Sequence, residues 1–194
     1  MKKFFFIKFI RPVLLVVSSL FFDKKFLNGR YFDCSLLGWE KLFKSIFTQK
    51  LFGYNLKAKW PVSPFISIDN PDNIFFHPDD MNNFWHFGCY YANANGGKIT
   101  IGRGTWIAPN VGIITTNHSK ESLDQHDDPK DVIIGESCWI GMNSIILPGI
   151  YLGNNTMVGA GSVVTKSFPE GNCVIVGNPA RKIKALNPPI KSTN

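Results

Sequence analysis

The stretch from residue 134 to residue 169 reads, in groups of six, IGESCW IGMNSI ILPGIY LGNNTM VGAGSV VTKSFP. Residues 101–118 read IGRGTW IAPNVG IITTNH in the same way. An aliphatic residue opens each group, which we call a sextet, and glycine or alanine usually stands second. The fifth place is mostly small or β-branched, as in Thr105, Val111, Cys138, Ser144, Thr156 and Ser162. The chain therefore repeats with a period of six, and a polar stretch at residues 119–133 interrupts the repeat once.

A strict period of six predicts a parallel β-helix. Short strands joined by tight turns wind into coils, and each coil buries its aliphatic residues against the coils above and below. Because side chains alternate along a strand, the first and fifth places share the inward face. Three sextets make one triangular coil, so residues 101–118, 134–151 and 152–169 are three coils. A β-sandwich of short strands is the alternative, but a sandwich gives no reason for an in-register repeat of this length.

Composition and charge limit the choice of partners. The 194 residues suffice for one domain with a smaller appendage, and the net charge of +7 indicates anionic partners. The sequence contains no recognised nucleic-acid motif, so a phosphate-rich cofactor or a negative membrane surface explains the charge more simply. The cysteines are widely spaced, which argues against a disulfide framework or a zinc site and favours a reducing compartment. We therefore expect a cytoplasmic protein, with a peripheral position on the inner membrane as the alternative.

The first 60 residues are basic and aromatic and predict a helical region. The apolar run Val13–Phe22 is about ten residues long, whereas a membrane-spanning helix needs about 20. A secretory signal peptide is the rival interpretation, although no small-x-small cleavage site follows. We expect a helix that lies on a membrane surface or packs against the β-helix or a neighbouring subunit, which makes residues 1–30 candidates for membrane contact. Residues 31–60 predict a second amphipathic helix that ends at Gly53.

The remaining chain divides at the limits of the repeat. Residues 61–180 are predicted to form the β-helix domain, and the polar loop 119–133 leaves it at a coil corner and returns. Residues 181–194 are predicted to form a basic C-terminal tail, and its end, with Pro188 and Pro189, is expected to be loosely ordered.

Several motifs of the repeat region resemble one known family. They are IAPNV at residues 107–111, NH at 117–118, WIG at 139–141, GAGSVVTK at 159–166 and GNPA at 177–180. The combination resembles the hexapeptide-repeat acyltransferases, and above all the O-acetyltransferases of maltose, galactosides, capsule and lipopolysaccharide. The resemblance covers roughly residues 91–184. It implies a left-handed parallel β-helix, acetyl-CoA as co-substrate, and a homotrimer with active sites between subunits.

His118 is the predicted general base. It closes the third sextet at an outward-facing corner, where no core needs filling, and imidazole suits proton transfer at neutral pH. Asn117 and His118 match the catalytic position of the family that the sequence resembles. A base also needs a partner that orients it. The residues that could serve are Asp124, His126 and Glu136.

The resemblance also implies positions for the oxyanion and the acceptor. An oxyanion donor is expected near the Trp-Ile-Gly motif, at the backbone N–H of Gly141 or Met142. Trp139 matches an aromatic residue on the acceptor side and could stack on a sugar, with packing against the loop as an equal alternative. Asn93 resembles an acceptor-side asparagine, although its spacing from the repeat is shorter than in the maltose and galactoside enzymes.

Acetyl-CoA is the expected co-substrate, and no metal is expected. Small residues leave room for the pantetheine arm, and basic residues can bind the nucleotide phosphates. The candidates for this role are Ala160, Gly161, Thr165, Lys166, Arg181 and Lys184. In the family, residues matching Ala160, Lys166 and Arg181 contact CoA, although a solvated basic rim is the alternative for the charged ones. The sequence has no P-loop or Rossmann fingerprint.

The sequence thus predicts an acetyl-CoA-dependent O-acetyltransferase. It would transfer an acetyl group directly to a sugar hydroxyl of a bacterial surface glycan, capsule or lipopolysaccharide, with His118 as base. A serine or amino-sugar acetyltransferase of the same fold is one alternative, and a non-catalytic β-helix scaffold is another. A metal enzyme of the carbonic anhydrase type would need three coil histidines, and only His118 lies on a regular coil.

Overall fold

Three sheets, built almost entirely of parallel strands, form the body of the protein. The computed structural model describes residues 10–187. Sheet A contains β1 (Ser67–Ile68), β3 (Tyr90–Ala92), β6 (Gly112–Ile114), β9 (Ile145–Ile146) and β12 (Val163–Val164). Sheet B contains β2 (Ile74–Phe75), β4 (Ile99–Ile101), β7 (Val132–Ile134) and β10 (Tyr151–Leu152). Sheet C contains β5 (Trp106–Ile107), β8 (Trp139–Ile140), β11 (Thr156–Val158), β13 (Cys173–Gly177) and β14 (Ala180–Ala185).

The chain passes from sheet B to sheet C to sheet A and returns to sheet B one coil further along. We call the corner where it leaves sheet A the A–B edge, and the corner where it leaves sheet C the C–A edge. Ile140 pairs in register with Ile107 on one side and Val158 on the other. The step from Ile140 to Val158 is three sextets, as the repeat predicts. The mainly-β fold of parallel sheets with the geometry of a β-helix is thereby confirmed.

The inward side chains are those that the repeat assigns to the core. Each sextet-opening residue is no more than 3% exposed: Ile101, Ile107, Ile113, Ile134, Ile140, Ile146, Leu152, Val158 and Val164. The fifth-place residues named above are also buried. Their hydroxyls are satisfied by the backbone; for example, Thr105 Oγ1 donates to the carbonyl of Gly135 at 2.7 Å. The repeat therefore specifies a filled triangular core.

The fourth place of the sextet has a role that the sequence analysis did not assign. There the backbone adopts the left-handed conformation, with positive φ at Gly104, Asn110, Ser137, Asn143, Gly149, Asn155 and Gly161. Glycine and asparagine adopt this conformation at the least cost. The turn at each corner therefore selects these residue types.

The N-terminal region is less helical than predicted. Its helices are α1 (Arg11–Ser18), α2 (Leu37–Ser45) and a π-helical segment, Ile46–Leu51, that continues α2. Short 3-10 turns occupy Lys24–Phe26, Pro71–Asn73 and Pro78–Phe84. Within residues 10–187, no helix has the length and apolar character needed to cross a membrane. The expectations for residues 1–9 and 188–194 lie outside the described range.

Aromatic side chains join the N-terminal region to the open end of the β-helix. Trp60 is 2% exposed, and its ring lies 5.2 Å from that of Phe26 and 5.3 Å from that of Phe84. Phe84 in turn lies 5.2 Å from Tyr91 of β3. Edge contacts of this kind add to the hydrophobic burial of the rings. The N-terminal region therefore covers the core cross-section that the first coil would otherwise expose.

Buried polar side chains satisfy the backbone of the first coils. Asn83 is fully buried; it donates to the carbonyl of Thr105 at 2.9 Å and accepts from the N–H of Ile107 at 2.9 Å. Asp80 accepts from the N–H of Gly104 at 2.9 Å. These bonds replace the strand that β5 lacks on its outer side, so the sheet does not present free backbone groups.

Two predicted boundaries differ from the structure. The loop was predicted over 119–133, but Val132 and Ile133 already belong to β7, and Lys130 N–H donates to Thr115 O at 2.7 Å. Residues 181–185, predicted to lie in the basic C-terminal tail outside the β-helix domain, instead belong to β14, which pairs antiparallel with β13. The reason is that β13 ends the parallel stack of sheet C, so its outer backbone groups require a partner that a reversing chain supplies.

The close approach of adjacent coils at the second sextet place is testable. A Cβ atom at Gly135 would lie 2.7 Å from the backbone N of Asn154 and 2.8 Å from the carbonyl carbon of Gly153. Because both backbones are fixed by ladder hydrogen bonds, we expect Gly135→Ala to lower the free energy of unfolding by about 3 kcal/mol. Urea denaturation with tryptophan fluorescence measures this.

The matched control is Gly161→Ala, where φ is +69° and no atom lies within 4 Å of the added Cβ. It carries only the left-handed backbone strain, which is about 1 kcal/mol. Equal destabilisation in the two variants would contradict the close-packing explanation.

Candidate active site

The polar interruption of the repeat folds as a narrow excursion from the A–B edge between β6 and β7. Its two limbs are held together by backbone bonds. The N–H of Asp127 donates to the carbonyl of Asn117 at 2.9 Å, and the N–H of Ser119 donates to the carbonyl of Gln125 at 2.8 Å. Thr116 Oγ1 adds a bond to the carbonyl of Asp127 at 2.9 Å. The loop is therefore an ordered hairpin, and His118 lies on its first limb.

His118 is exposed, and its ring is fixed by the loop. Its Nδ1 lies 2.8 Å from the carbonyl oxygen of Leu123, which can only accept, so Nδ1 carries the proton. In the neutral imidazole this leaves a lone pair on Nε2. The ring of His126 lies 4.4 Å away at an angle of 33°. The tautomer leaves a basic nitrogen on an exposed residue, which is the arrangement a general base needs.

The prediction that Asp124, His126 or Glu136 orients His118 is wrong for the hydrogen bond to its ring. Among the described residues, neither Asp124 nor Glu136 bonds to the His118 ring, and His126 stacks on it. The partner is a backbone carbonyl, which no inspection of side-chain types could have identified. His126, one of the three predicted candidates, does lie opposite His118 in the hairpin pairing, but the contact is between the two rings.

The C–A edge carries a second group of predicted residues. Ala160 and Gly161 are exposed there, and the N–H of Gly161 donates to the carbonyl of Met142 at 2.8 Å. Arg181 lies close to this edge, because β14 pairs it with Val176 near the end of β13. Lys184 lies further along β14, opposite Val174. Exposed backbone at small residues and the guanidinium of Arg181 therefore lie at the same edge of the β-helix.

Gly141 is not an oxyanion donor in this arrangement. It is buried, and its N–H donates to the carbonyl of Val158 at 2.8 Å in the coil-to-coil ladder. Met142 is therefore the remaining candidate for the oxyanion donor. It is 45% exposed, and its N–H has no hydrogen-bond acceptor within residues 10–187. A backbone N–H without an acceptor inside the protein can stabilise a developing negative charge.

Thr165 and Lys166 lie apart from Ala160 and Gly161. They follow β12 at the A–B edge, the edge that carries His118, and both are exposed. Sheet A separates the two edges, and five or six residues of extended chain at about 3.3 Å each place them roughly 15–20 Å apart. The predicted cofactor residues therefore fall on two edges of one chain.

Asn93 has a structural role, and the prediction that it contacts the acceptor is wrong. Its side chain is fully buried. Its Oδ1 accepts from the N–H of Asn70 at 2.9 Å, and its Nδ2 donates to the carbonyl of Asn70 at 2.8 Å. All the polar atoms of the amide are thus engaged by the backbone of the preceding coil, and the side chain cannot reach a ligand.

Trp139 belongs to an aromatic pair on the outer face of sheet C. It is 58% exposed and pairs in register with Trp106, which is 54% exposed. The guanidinium of Arg30 lies 5.5 Å from the Trp106 ring. Both tryptophans line a groove of about 510 Å³ together with His86. Trp106 was missed in the sequence analysis, although it occupies the same sixth place as Trp139 one coil earlier.

Two of the buried cysteines are poor candidates for a covalent nucleophile. Burial raises the pKa of the Cys89 and Cys138 thiols, so these sulfurs stay protonated at neutral pH. Across residues 10–187, no three His, Cys, Asp or Glu side chains lie close enough to hold a metal ion. The chemistry that the described groups can support is proton transfer at His118.

The tautomer of His118 can be measured directly. We expect ¹⁵N NMR of the neutral side chain to show the proton on Nδ1 of His118, because the Leu123 carbonyl accepts from it. His77 is the internal control: its Nδ1 accepts from the N–H of Asp79 at 3.1 Å, so its proton belongs on Nε2. The same tautomer at both histidines would contradict the assignment.

Comparison with known proteins agrees with this geometry. Residues 131–166 match the bacterial transferase hexapeptide (six repeats) family. The chain is 37% identical to galactoside O-acetyltransferase of Escherichia coli over 50% of its length and 52% of the relative's. It is 31% identical to an E. coli protein named for colanic acid biosynthesis acetyltransferase WcaF, over 71% of its length and 72% of that protein's.

A solved structure is also similar. The maltose O-acetyltransferase of Clostridium difficile superimposes with a TM-score of 0.52 at 37% identity, over 63% of this chain and 64% of that one. The chain thus spans only 52% to 64% of the galactoside and maltose enzymes. The coil, the ordered loop with its histidine and these similarities together lead to one conclusion: the chain belongs to the hexapeptide-repeat acetyltransferase family.

Proposed function

We propose that the protein is an acetyl-CoA-dependent O-acetyltransferase that uses His118 as its general base. The observation that carries the proposal is the hydrogen bond from His118 Nδ1 to the Leu123 carbonyl, which leaves Nε2 free on an exposed loop. The names of the relatives support acetyl transfer to a hydroxyl. The protonated thiols of Cys89 and Cys138 favour direct transfer over an acyl-enzyme.

The proposed reaction is a single acyl transfer. His118 Nε2 takes the proton of the acceptor hydroxyl while the oxygen attacks the thioester carbonyl. The N–H of Met142 stabilises the resulting oxyanion. The C–S bond then breaks, and the imidazolium returns the proton to the departing CoA sulfur. The products are the acetyl ester and free CoA, and no other reactant is needed.

The A–B edge and the C–A edge of the β-helix suggest how acetyl-CoA is bound. Ala160 and Gly161 expose backbone that a pantetheine arm can follow, and the cations of Arg181 and Lys184 are available to its phosphates. Thr165 and Lys166 lie on the other edge with His118. Because roughly 15–20 Å separates the edges within one chain, the A–B edge of one subunit must face the C–A edge of another to complete a site.

This requirement supports the homotrimer that the family resemblance implies; the left-handed coil is proposed on the resemblance alone. In a cyclic trimer, each chain offers its A–B edge to one neighbour and its C–A edge to the other, so that three equivalent sites result. The assembly would place Lys166 and Arg181 on opposite walls of one cleft.

The acceptor is proposed to be a sugar hydroxyl of a surface glycan. The similarity to the colanic acid protein supports a polysaccharide, and the similarity to the galactoside and maltose enzymes supports a sugar hydroxyl. Trp106 and Trp139 offer two exposed ring faces one coil apart, a spacing of about 4.8 Å. Aromatic faces of this kind can stack on sugar rings.

His118→Ala should lower kcat for acetyl transfer about 100- to 10,000-fold, because it removes the base but no part of the coil. Release of CoA thiol would be followed with maltose, galactosides, capsular polysaccharide and lipopolysaccharide as acceptors. Acetyl-CoA binding, measured by calorimetry, should persist. His77→Asn, which keeps the cap on Asp79, is the control, and wild-type turnover by His118→Ala would disprove the mechanism.

Mixed oligomers test whether two chains share a site. His118→Ala removes the base from the A–B edge, and Ala160→Phe blocks the C–A edge; we expect each variant alone to be inactive. If the subunits assort randomly in a cyclic oligomer, a mixture in equal amounts regains about a quarter of the wild-type rate. Mixtures that stay inactive after unfolding and refolding together would place the site within one chain.

A further inference from the structure

The net positive charge of the protein lies in its first 60 residues, which supply none of the proposed site residues. Residues 1–60 contain twelve Lys and Arg and three Asp and Glu, a balance of +9. Residues 61–194 contain nine Lys and Arg and eleven Asp and Glu, a balance of −2. Such asymmetry between parts of a chain indicates a separate anionic partner for the basic part.

Helix α1 is apolar on both sides. Val13, Val16 and Val17, and Leu20 just beyond the helix, follow one another at helical spacing and are 62%, 66%, 49% and 79% exposed. On the inward side, Leu14 and Leu15 pack against the core and Ser18 is buried. A surface helix of a soluble domain normally carries polar residues on its outer side. The outward apolar stripe of α1 is therefore available to a partner.

Helix α2 and the π-helical segment extend this exposed apolar surface. Leu36, Phe43, Phe47 and Leu51 lie on their outer side and are 60%, 50%, 56% and 68% exposed. Trp39 and Leu42 fill the inner side and are at most 3% exposed. The outer stripe is thus additional to the residues that hold the helix to the protein.

The exposed residues form one continuous surface. Phe21, which follows α1, lines a groove of about 470 Å³ together with Phe43 and Phe47. The same two phenylalanines line a larger groove of about 800 Å³ that reaches Phe65 and Phe87. We call this surface, from the outer stripe of α1 to Phe65 and Phe87, the N-terminal apolar face. Contiguous apolar surface of this extent marks an interaction site.

Lysines stand beside this apolar surface. Lys41 and Lys44 line the larger groove, and Lys50 lines the smaller one. Lys44 is paired with Glu40 at 2.7 Å, whereas Lys41 has no ion-pair partner within residues 10–187. Exposed aromatic and aliphatic side chains with cations next to them are typical of interfacial binding to anionic lipid.

We propose that the N-terminal apolar face docks the protein on the surface of an anionic lipid bilayer. The phenylalanine and valine side chains enter the boundary between headgroups and acyl chains, and Lys41 contacts the lipid phosphates. A second copy of the chain is a poorer occupant, because self-association would bring two segments of charge +9 together. A bilayer supplies both the apolar medium and the opposite charge.

The test is sedimentation of the full chain with vesicles. We expect binding to vesicles of phosphatidylcholine and phosphatidylglycerol in a ratio of about three to one, weaker binding at high salt, and little binding to pure phosphatidylcholine. Phe43→Ser combined with Phe47→Ser should abolish binding. Lys41→Glu should weaken it about fivefold or more, since each cation near such a surface contributes about that factor.

Controls separate docking from folding, from assembly and from catalysis. Phe75→Ser, at an exposed phenylalanine of β2, and Lys98→Glu, at an exposed lysine before β4, should bind vesicles like wild type. Thermal unfolding and acetyl transfer to a water-soluble acceptor should be unchanged in all variants. Binding by Phe43→Ser/Phe47→Ser equal to wild type would overturn the proposal. So would dissociation of the oligomer in that variant, which would identify the face as a subunit interface.

Discussion

The backbone ladder that joins one coil to the next is the constraint on which the other features depend. At the second place of the sextet, the N–H donates to the carbonyl of the residue that opens the sextet one coil along. Gly102 donates to Ile134, Gly135 to Leu152 and Gly141 to Val158, each at 2.8 Å. The same places have no room for a Cβ, because the next backbone lies against them. Spacing, residue type and hydrogen bonding are therefore fixed together at these three corners.

This ladder also decides where chemistry can occur. A group that serves the repeat has its hydrogen bonds occupied, as the N–H of Gly141 illustrates. Free groups arise where the repeat is broken or turns outward. His118 stands on the excursion between β6 and β7, and Met142 stands one place beyond the ladder donor. The repeat thus fixes where the candidate site residues lie, and the unpaired polar atoms belong to residues outside the hydrogen-bond ladder.

The sequence predicts the coil well because its determinants are local and periodic. The inward side chains of Ile140 and Ser144 can be assigned from spacing alone. The left-handed fourth places could also have been identified, since glycine or asparagine recurs there. Hydrogen-bond partners distant in the chain could not be predicted. Asn93 resembled an acceptor contact but bonds to Asn70, and the ring of His118 is oriented by a main-chain carbonyl. Helix limits near residue 50 depend on burial that no short pattern encodes.

The excursion that carries His118 leaves the strand ladder undisturbed. Ile99 pairs with Val132 and Ile101 with Ile134, although the whole loop lies between β6 and β7. One coil later, four residues make the same connection between β9 and β10. The length and composition of the loop can therefore change over evolutionary time while the number of coils and the strand register stay constant. Selectivity toward acceptors and folding stability can therefore diverge independently within one architecture.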